Sequence, residues 1–118
     1  MTENRKPAAA KRDVQTNSAS VRETFWQVLA AVPEGRVTSY GKLAQLAGMG
    51  RGARLAGRWL GQLPEGTALP WHRVVNSQGQ LSLPPDHPAG QEQYQRLLAE
   101  GIIITDRRVD MKRFGWPD

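Results

Sequence analysis

Apolar residues recur at helical spacing in the first part of the chain. Val21, Phe25, Val28, Leu29 and Val32 predict a helix, with Trp26 on its flank. Ser20-Val21-Arg22-Glu23 has the form of a capping box at its start. Pro33-Glu34-Gly35 ends that helix, and Arg36-Val37-Thr38-Ser39 reads as a short extended link whose hydroxyls can cap the next one. Tyr40 to Ala47 follows as a helix with Leu43, Ala44, Leu46 and Ala47 inward, and Gly48-Met49-Gly50 breaks it. A second short helix then runs over about Arg51 to Leu63. Helix, glycine-containing turn, helix is the helix-turn-helix layout.

The second half switches pattern. Pro64 to Ala68 is a loop that delivers Leu69-Pro70-Trp71-His72-Arg73-Val74-Val75-Asn76. Pro70 fixes its own φ and biases Leu69 toward an extended backbone, so the aromatic, the imidazole and the guanidinium sit on a stiffened turn. Val74-Val75 predicts a strand, Gln78-Gly79 a tight turn, and Gln80 to Leu83 the returning partner. A hairpin placed there is the wing of a winged helix. Pro84-Pro85-Asp86-His87-Pro88 is a stiff loop. Ala89 to Glu100 predicts a further helix with Tyr94, Leu97 and Leu98 as its buried stripe and Gly101 as its stop. Ile102-Ile103-Ile104 suits a short core strand, and the end of the chain is a tail held by Phe114 and Trp116. The expected fold is therefore mostly α with a small β-hairpin, a winged helix-turn-helix DNA-binding domain over residues 20–118. Residues 1–19 are polar, lack aromatics and mix Lys/Arg with Ala, Thr, Asn and Ser, which predicts a disordered basic tail.

Composition narrows the chemistry. A length of 118 residues suits one domain with a modest core. The absence of cysteine removes disulfides, thiolate metal sites and every thiol nucleophile. His72 and His87 lack the company that a metal cluster needs, so no metal and no cofactor is expected. No apolar run has the length of a membrane helix, and no signal-peptide core precedes the domain. A cytoplasmic protein without membrane contact is expected, nucleoid-associated if bacterial. The 16 Lys and Arg outnumber the 11 Asp and Glu. Between Arg36 and Arg73 stand Arg36, Lys42, Arg51, Arg54, Arg58 and Arg73 against Glu65 alone. That third carries the whole net charge of +5, since the other ten cations meet ten anions. A basic block concentrated on a folded segment is the footprint of a nucleic-acid binder. Arg51, Arg54 and Arg58 fall on one helix face, with Gly52, Ala53, Ala56 and Gly57 between them. Glycine in a helix costs about 1 kcal/mol, so these small residues suggest that something approaches the backbone closely.

With the helix-turn-helix directly before Pro70-Trp71-His72-Arg73-Val74, the chain resembles the DNA-binding domain of O6-alkylguanine-DNA alkyltransferases. That family carries Pro-Cys-His-Arg-Val here, preceded by a Thr/Ser-Tyr-Gly helix and an Ala-Ala-Arg segment. The counterparts read Thr38-Ser39-Tyr40-Gly41 and Gly52-Ala53-Arg54, and the match runs from about Phe25 to Gly101. Trp71 at the cysteine position is similar to the alkyltransferase-like proteins. The resemblance implies nucleotide flipping of O6-alkylguanine in duplex DNA without alkyl transfer, hence no enzyme, and a handover to nucleotide excision repair proteins by a monomer. It implies a lesion pocket of Trp71, His72, Arg73, Tyr40 and Glu100. Arg54 would be the finger that fills the vacated stack and Tyr40 would push the flanking phosphate. Thr38, Ser39, Arg51, Arg58, Gly52 and Ala53 complete the implied DNA-binding set. His72 and Glu100, which would activate a thiol in a transferase, are expected to remain as a structural hydrogen-bond network. Some alkyltransferase-like proteins carry an Arg after the wing, where this chain has Leu83-Pro84-Pro85.

Two other classes compete. A winged-helix transcription regulator would read bases with Asn, Gln and Arg, usually as a dimer, yet this helix offers arginines and small residues before Gln62. An enzyme with His72 as base and Ser77 or water as nucleophile lacks a Ser-His-Asp spacing or a nucleophile elbow. Trp71 itself has a plain alternative as a core-filling aromatic.

Overall fold

Helix α1 occupies residues 20–31 and turns Phe25, Leu29 and, just past its end, Val32 fully inward. The computed structural model describes residues 20–118, so the tail expected over residues 1–19 lies outside it. Phe25 meets Trp26 and Trp59 edge-to-face, with ring centroids 4.8 and 5.2 Å away. The Arg22 guanidinium lies 4.8 Å over the Trp59 ring and donates to Gln62 Oε1 at 2.8 Å. These contacts latch α1 onto Trp59 and Gln62.

Strand β1 (Thr38–Ser39) runs straight into α2 (Tyr40–Leu46). The expected cap forms: Ser39 Oγ accepts from the Lys42 amide at 3.0 Å. Leu43, Ala44 and Ala47 are buried, whereas Leu46 is exposed rather than inward. The chain then turns through Gly48 and Gly50, both at positive φ, which glycine adopts without a side-chain clash. Helix α3 (Ala53–Gly61) follows, shorter at both ends than the sequence suggests. Phe25, Leu29, Leu43, Ala44, Ala47, Ala56 and Val74 form the first of two apolar clusters.

A 3₁₀ turn at Trp71–Arg73 leads into β2 (Val74–Val75). Here the strand pairing differs from the expected wing. β2 pairs in parallel with β1, Thr38 opposite Val74 and Ser39 opposite Val75. Residues 40–73, which hold α2 and α3, are thus the crossover that a parallel pair requires. Val74 and Val75 are both buried, Val74 in the first cluster and Val75 in the second with Val37, Leu81, Leu97, Ile102 and Val109. Strands buried on both faces read as unbroken apolar runs, and that is why Val74-Val75 is an interior strand rather than one arm of a wing. The tight turn itself forms, with Asn76 Oδ1 accepting from the Gln78 and Gln80 amides. Gln80 then bridges Arg108, and the Leu81 amide donates to Arg107 O.

Helix α4 (Pro88–Ala99) starts with a cap from His87 Nδ1, which accepts from the Ala89 amide. Its buried face is Gly90, Gln93 and Leu97; Leu98 is exposed, and Tyr94 is half-buried. The antiparallel hairpin among the described residues is β3 (Ile104–Thr105) with β4 (Arg108–Val109), turned by Asp106 and Arg107 at positive φ. Of the three isoleucines only Ile102 is fully buried, and Ile103 faces solvent. Helix α5 (Met111–Phe114) and the residues after it are strapped to Val37, just before β1, as expected. The Val37 amide donates to Phe114 O at 2.9 Å and the Trp116 amide to Val37 O at 2.7 Å.

Candidate functional site

The Pro70 turn sends neighbouring side chains in opposite directions. Pro70 is buried, the Arg73 amide donates to Pro70 O at 3.1 Å, and the Trp71 amide donates to Leu69 O at 2.9 Å. Within that turn His72 points into the protein, 1 % exposed, and Trp71 lies half-buried on an open cleft.

Behind the turn stands a charged network. His72 Nε2 lies 2.7 Å from Glu100 Oε2, and Arg73 donates to the same carboxylate through Nε at 3.0 and 3.1 Å and through its terminal nitrogen at 2.8 Å. The Gly35 amide donates to Glu100 Oε1 at 3.0 Å, and Arg73 also donates to Val32 O at 2.9 Å. Burial pushes the Glu100 carboxyl up, but the hydrogen bonds from Arg73, Gly35 and His72 outweigh it and hold it at about 2. Burial lowers the His72 imidazole, against the pull of Glu100. The imidazole is therefore neutral near pH 7, its Nε2–H donates to Glu100, and Nδ1 is an acceptor left without a protein partner. The Gln93 amide reinforces the turn from α4, donating to His72 O at 3.2 Å and Val74 O at 2.9 Å.

In front of the turn is a cleft of about 690 Å3 between α3, the 64–67 loop and α4. Trp71 and Tyr40 line it, together with Leu60, Leu63, Leu83 and Arg96. Arg96 sits 6.0 Å from the Trp71 ring centroid, and the Tyr40 and Ser82 hydroxyls lie 2.9 Å apart. The Tyr40 ring is 3.8 Å from where a Cβ on Gly57 would stand, so one of the small residues of α3 does admit a close neighbour. Such a volume falls within the range of roughly 300–1,000 Å3 typical of sites for small organic ligands.

The five residues expected in one pocket are thus divided. Trp71 and Tyr40 form its wall, whereas His72, Arg73 and Glu100 lie behind it and do not line it. Burial decides this: a neutral imidazole and an ion pair satisfy each other best away from the cleft. Arg51, Arg54 and Arg58 are exposed on and just before α3, with Gly52 and Ala53 half-buried at its start. Thr38 and Ser39 are not on the surface of the helix-turn-helix; they are buried in β1, where pairing with β2 encloses them. Sequence reasoning missed Arg96 and Gln93. Their signal is the i, i+3 spacing on the face of α4 that also carries Leu97.

The family described as "6-O-methylguanine DNA methyltransferase, DNA binding domain" matches residues 20–102. The DNA base-flipping protein of Escherichia coli (strain K12) is 49 % identical over 98 residues, covering 82 % of this chain and 74 % of the relative. Alkyltransferase-like protein 1 of Schizosaccharomyces pombe is 32 % identical over 93 residues, covering 79 % and 86 %. The crystal structure of S. pombe Atl1 in complex with damaged DNA containing O6-carboxymethylguanine superposes with a TM-score of 0.76 at 29 % identity, over 83 % of this chain and 95 % of that one.

Proposed function

This chain belongs to the family of 6-O-methylguanine DNA methyltransferase DNA-binding domains, and from that premise we propose that it binds O6-alkylguanine in duplex DNA by nucleotide flipping and leaves the alkyl group in place. The observation that carries the proposal is Trp71 on the wall of an open cleft in a chain without cysteine. Transfer of an alkyl group to the protein needs a thiolate as nucleophile and acceptor. An indole at neutral pH supplies neither.

Recognition needs less. Extruding a nucleotide costs a few kcal/mol, and stacking a base on an aromatic side chain returns about 1–3 kcal/mol. Trp71 supplies that face, Arg54 on exposed α3 fills the stack, and Tyr40 beside the cleft meets the backbone of the flipped nucleotide. The relatives support this reading: one is named for base flipping, and another has a structure in complex with damaged DNA. A protein that binds the lesion and changes nothing repairs nothing alone. Handover of the marked site, by a monomer, to nucleotide excision repair completes the role.

The test compares affinity for a duplex carrying one O6-methylguanine with the same duplex carrying guanine, followed by analysis of the recovered base. Selective binding with the lesion intact is expected. Equal affinity for both duplexes overturns lesion recognition, and recovery of plain guanine overturns the absence of chemistry.

A further inference from the structure

Arg96 faces Trp71 in the cleft. Among the described residues that line this cleft it is the one arginine or lysine, and the carboxylates of Glu65 and Glu92 share the wall. Its guanidinium carbon lies over the Trp71 ring, 6.0 Å from the centroid, at the outer reach of a cation–π contact. The backbones behind the two side chains are fixed to each other. Gln93, one turn earlier on α4, donates to His72 O and Val74 O, and Leu97, the next residue on the helix, is fully buried.

The Arg96 guanidinium itself is loosely tied. Its carboxylate neighbour is Glu92, four residues back on the same helix and 3.4 Å away. An exposed pair of this kind contributes little. Arg73 differs, since Glu100 and Val32 O hold every nitrogen of its guanidinium. A flat ring stacked on both faces needs roughly 7 Å between its neighbours, twice a contact of about 3.5 Å. The gap between Trp71 and Arg96 is about 1 Å short of that, a distance that a loosely tied side chain can yield.

We infer that Arg96 covers the face of the flipped base opposite Trp71, so that the base is held between an indole and a guanidinium. The inference rests on the flipping reading for its ligand. A guanidinium suits this place because it is planar, always charged and weakly hydrated, and it stacks on aromatic faces. A backbone phosphate suits the place less, because Glu65 and Glu92 on the same wall repel one. The O6 substituent lies at the edge of the ring, so a grip on the two faces leaves the alkyl group outside the contact. Arg96 therefore reads the flipped base as a flat ring, whatever the size of its alkyl group.

The experiment measures affinity against salt for the undamaged and the O6-methylguanine duplex, using the parent, Arg96→Ala, Arg96→Lys, Trp71→Ala and the double variant Trp71→Ala/Arg96→Ala. Arg96→Ala is expected to bind the lesion duplex roughly three- to thirtyfold more weakly, the range of a cation–π contact. On the undamaged duplex its loss is expected to stay below about twofold, since only a screened charge is removed there. The log–log salt slope is expected to match the parent, because no phosphate contact is given up. Arg96→Lys keeps the charge without the flat face and is expected to recover only part of the loss. In the Trp71→Ala background the loss from Arg96→Ala is expected to shrink, as the two side chains share one base. A slope shallower by about 0.9 makes Arg96 a phosphate contact and overturns the inference, as do equal losses on the two duplexes or full recovery in Arg96→Lys. Additive losses in the double variant overturn the grip shared with Trp71. A parent that prefers the lesion while Arg96→Ala matches it overturns this inference alone. A parent that binds both duplexes alike overturns the flipping reading beneath it.

Discussion

Trp71 and His72 are adjacent in sequence, yet their rings stand edge-to-face, 86° apart in plane and 6.2 Å between centroids. One faces the cleft and the other is sealed against Glu100. This separates the part of the motif that lines the cleft from the part that holds the turn. The same three-residue segment thus faces the cleft and the interior through different side chains, and the two can be disturbed independently.

The interior half predicts an acid-sensitive fold. Glu100 has a folded pKa of about 2 against an ordinary value of 4.5, so the stability it contributes is complete above 4.5 and is lost as pH falls from there toward 2. His72 is also depressed. The unfolded chain takes up its proton below the ordinary value of 6.5 while the folded chain resists, so His72 erodes stability in the same direction, beginning at higher pH. Thermal melting between pH 8 and 3 is expected to show a level region, a first decline below about 6.5 and a steeper one below about 4.5. For Glu100→Gln the steeper decline disappears. Above pH 4.5 that variant is also less stable than the parent, by about 3 kcal/mol, because Arg73 keeps its charge without its partner, and the gap narrows as the parent loses the Glu100 contribution. A melting temperature independent of pH over this range refutes the network.

Arg54 gives the second prediction. Arg54→Ala is expected to weaken lesion binding by about tenfold, since a flipped state costing a few kcal/mol loses the side chain that occupies the vacated stack. Arg5→Ala, in the basic N-terminal stretch, removes the same charge and is expected to change affinity less than about twofold, as befits a screened charge. Competition binding with the two variants side by side decides the point. Equal losses would mean that charge alone matters and that Arg54 is no finger.

A third prediction concerns a glycine. A Cβ on Gly90, in the first turn of α4, would run into the Pro84 carbonyl. The Leu83–Pro84 loop lies so close to the helix because no side chain stands there. Leu83 is part of the wall of the cleft that Trp71 lines, so Gly90→Ala is expected to push that wall, costing about 1–3 kcal/mol by overpacking. Affinity for the O6-methylguanine duplex should fall more than affinity for the undamaged one. If melting and both affinities match the parent, the loop is not held by this contact.

Much of this architecture is legible in the residues. Phe25, Leu29 and Val32 follow the helical period, Ser39 caps as hydroxyls do, and Pro70 announces a stiff turn. The Phe114 and Trp116 strap follows from aromatics near a chain end. What escaped has physical causes. β1 and β2 are two residues each, too short for a period, and their pairing spans the whole helix-turn-helix. Asp106-Arg107 turns a hairpin without glycine, so the usual mark of positive φ is missing. Gln93 is buried although hydropathy would not place it inward, because its amide donates to the His72 and Val74 carbonyls. The division of the lesion pocket is of the same kind. Sequence order places Trp71, His72 and Arg73 together, and only the backbone of the 3₁₀ turn shows that they point apart.

Trp71→Cys tests how much transferase geometry the turn retains. A thiol at this position would stand beside His72, whose Nδ1 is unpartnered and whose Nε2–H is already held by Glu100. Nδ1 is free to accept the thiol proton, but His72 points away from the cleft, so that transfer needs the ring or the turn to shift. The sulfur would attack the methyl carbon of O6-methylguanine, forming the S–C bond as the O–C bond breaks. The base would leave as guanine after taking up one proton. The tautomer of the imidazole is therefore in place, but the sulfur would stand on a turn packed around an indole. A displacement of about 1 Å can cost on the order of a hundredfold in rate. The expected outcome is slow, single-turnover methylation, seen as a methyl adduct on the intact protein by mass spectrometry, and none on the parent. Binding should move the other way. Loss of the indole removes the stacking face, worth about 1–3 kcal/mol per base, so bulky O6-alkyl duplexes are expected to bind Trp71→Cys roughly ten- to a hundredfold more weakly than the parent. Undiminished affinity for those duplexes would show that Trp71 fills space rather than meeting the base, and the cleft would then need a different reader.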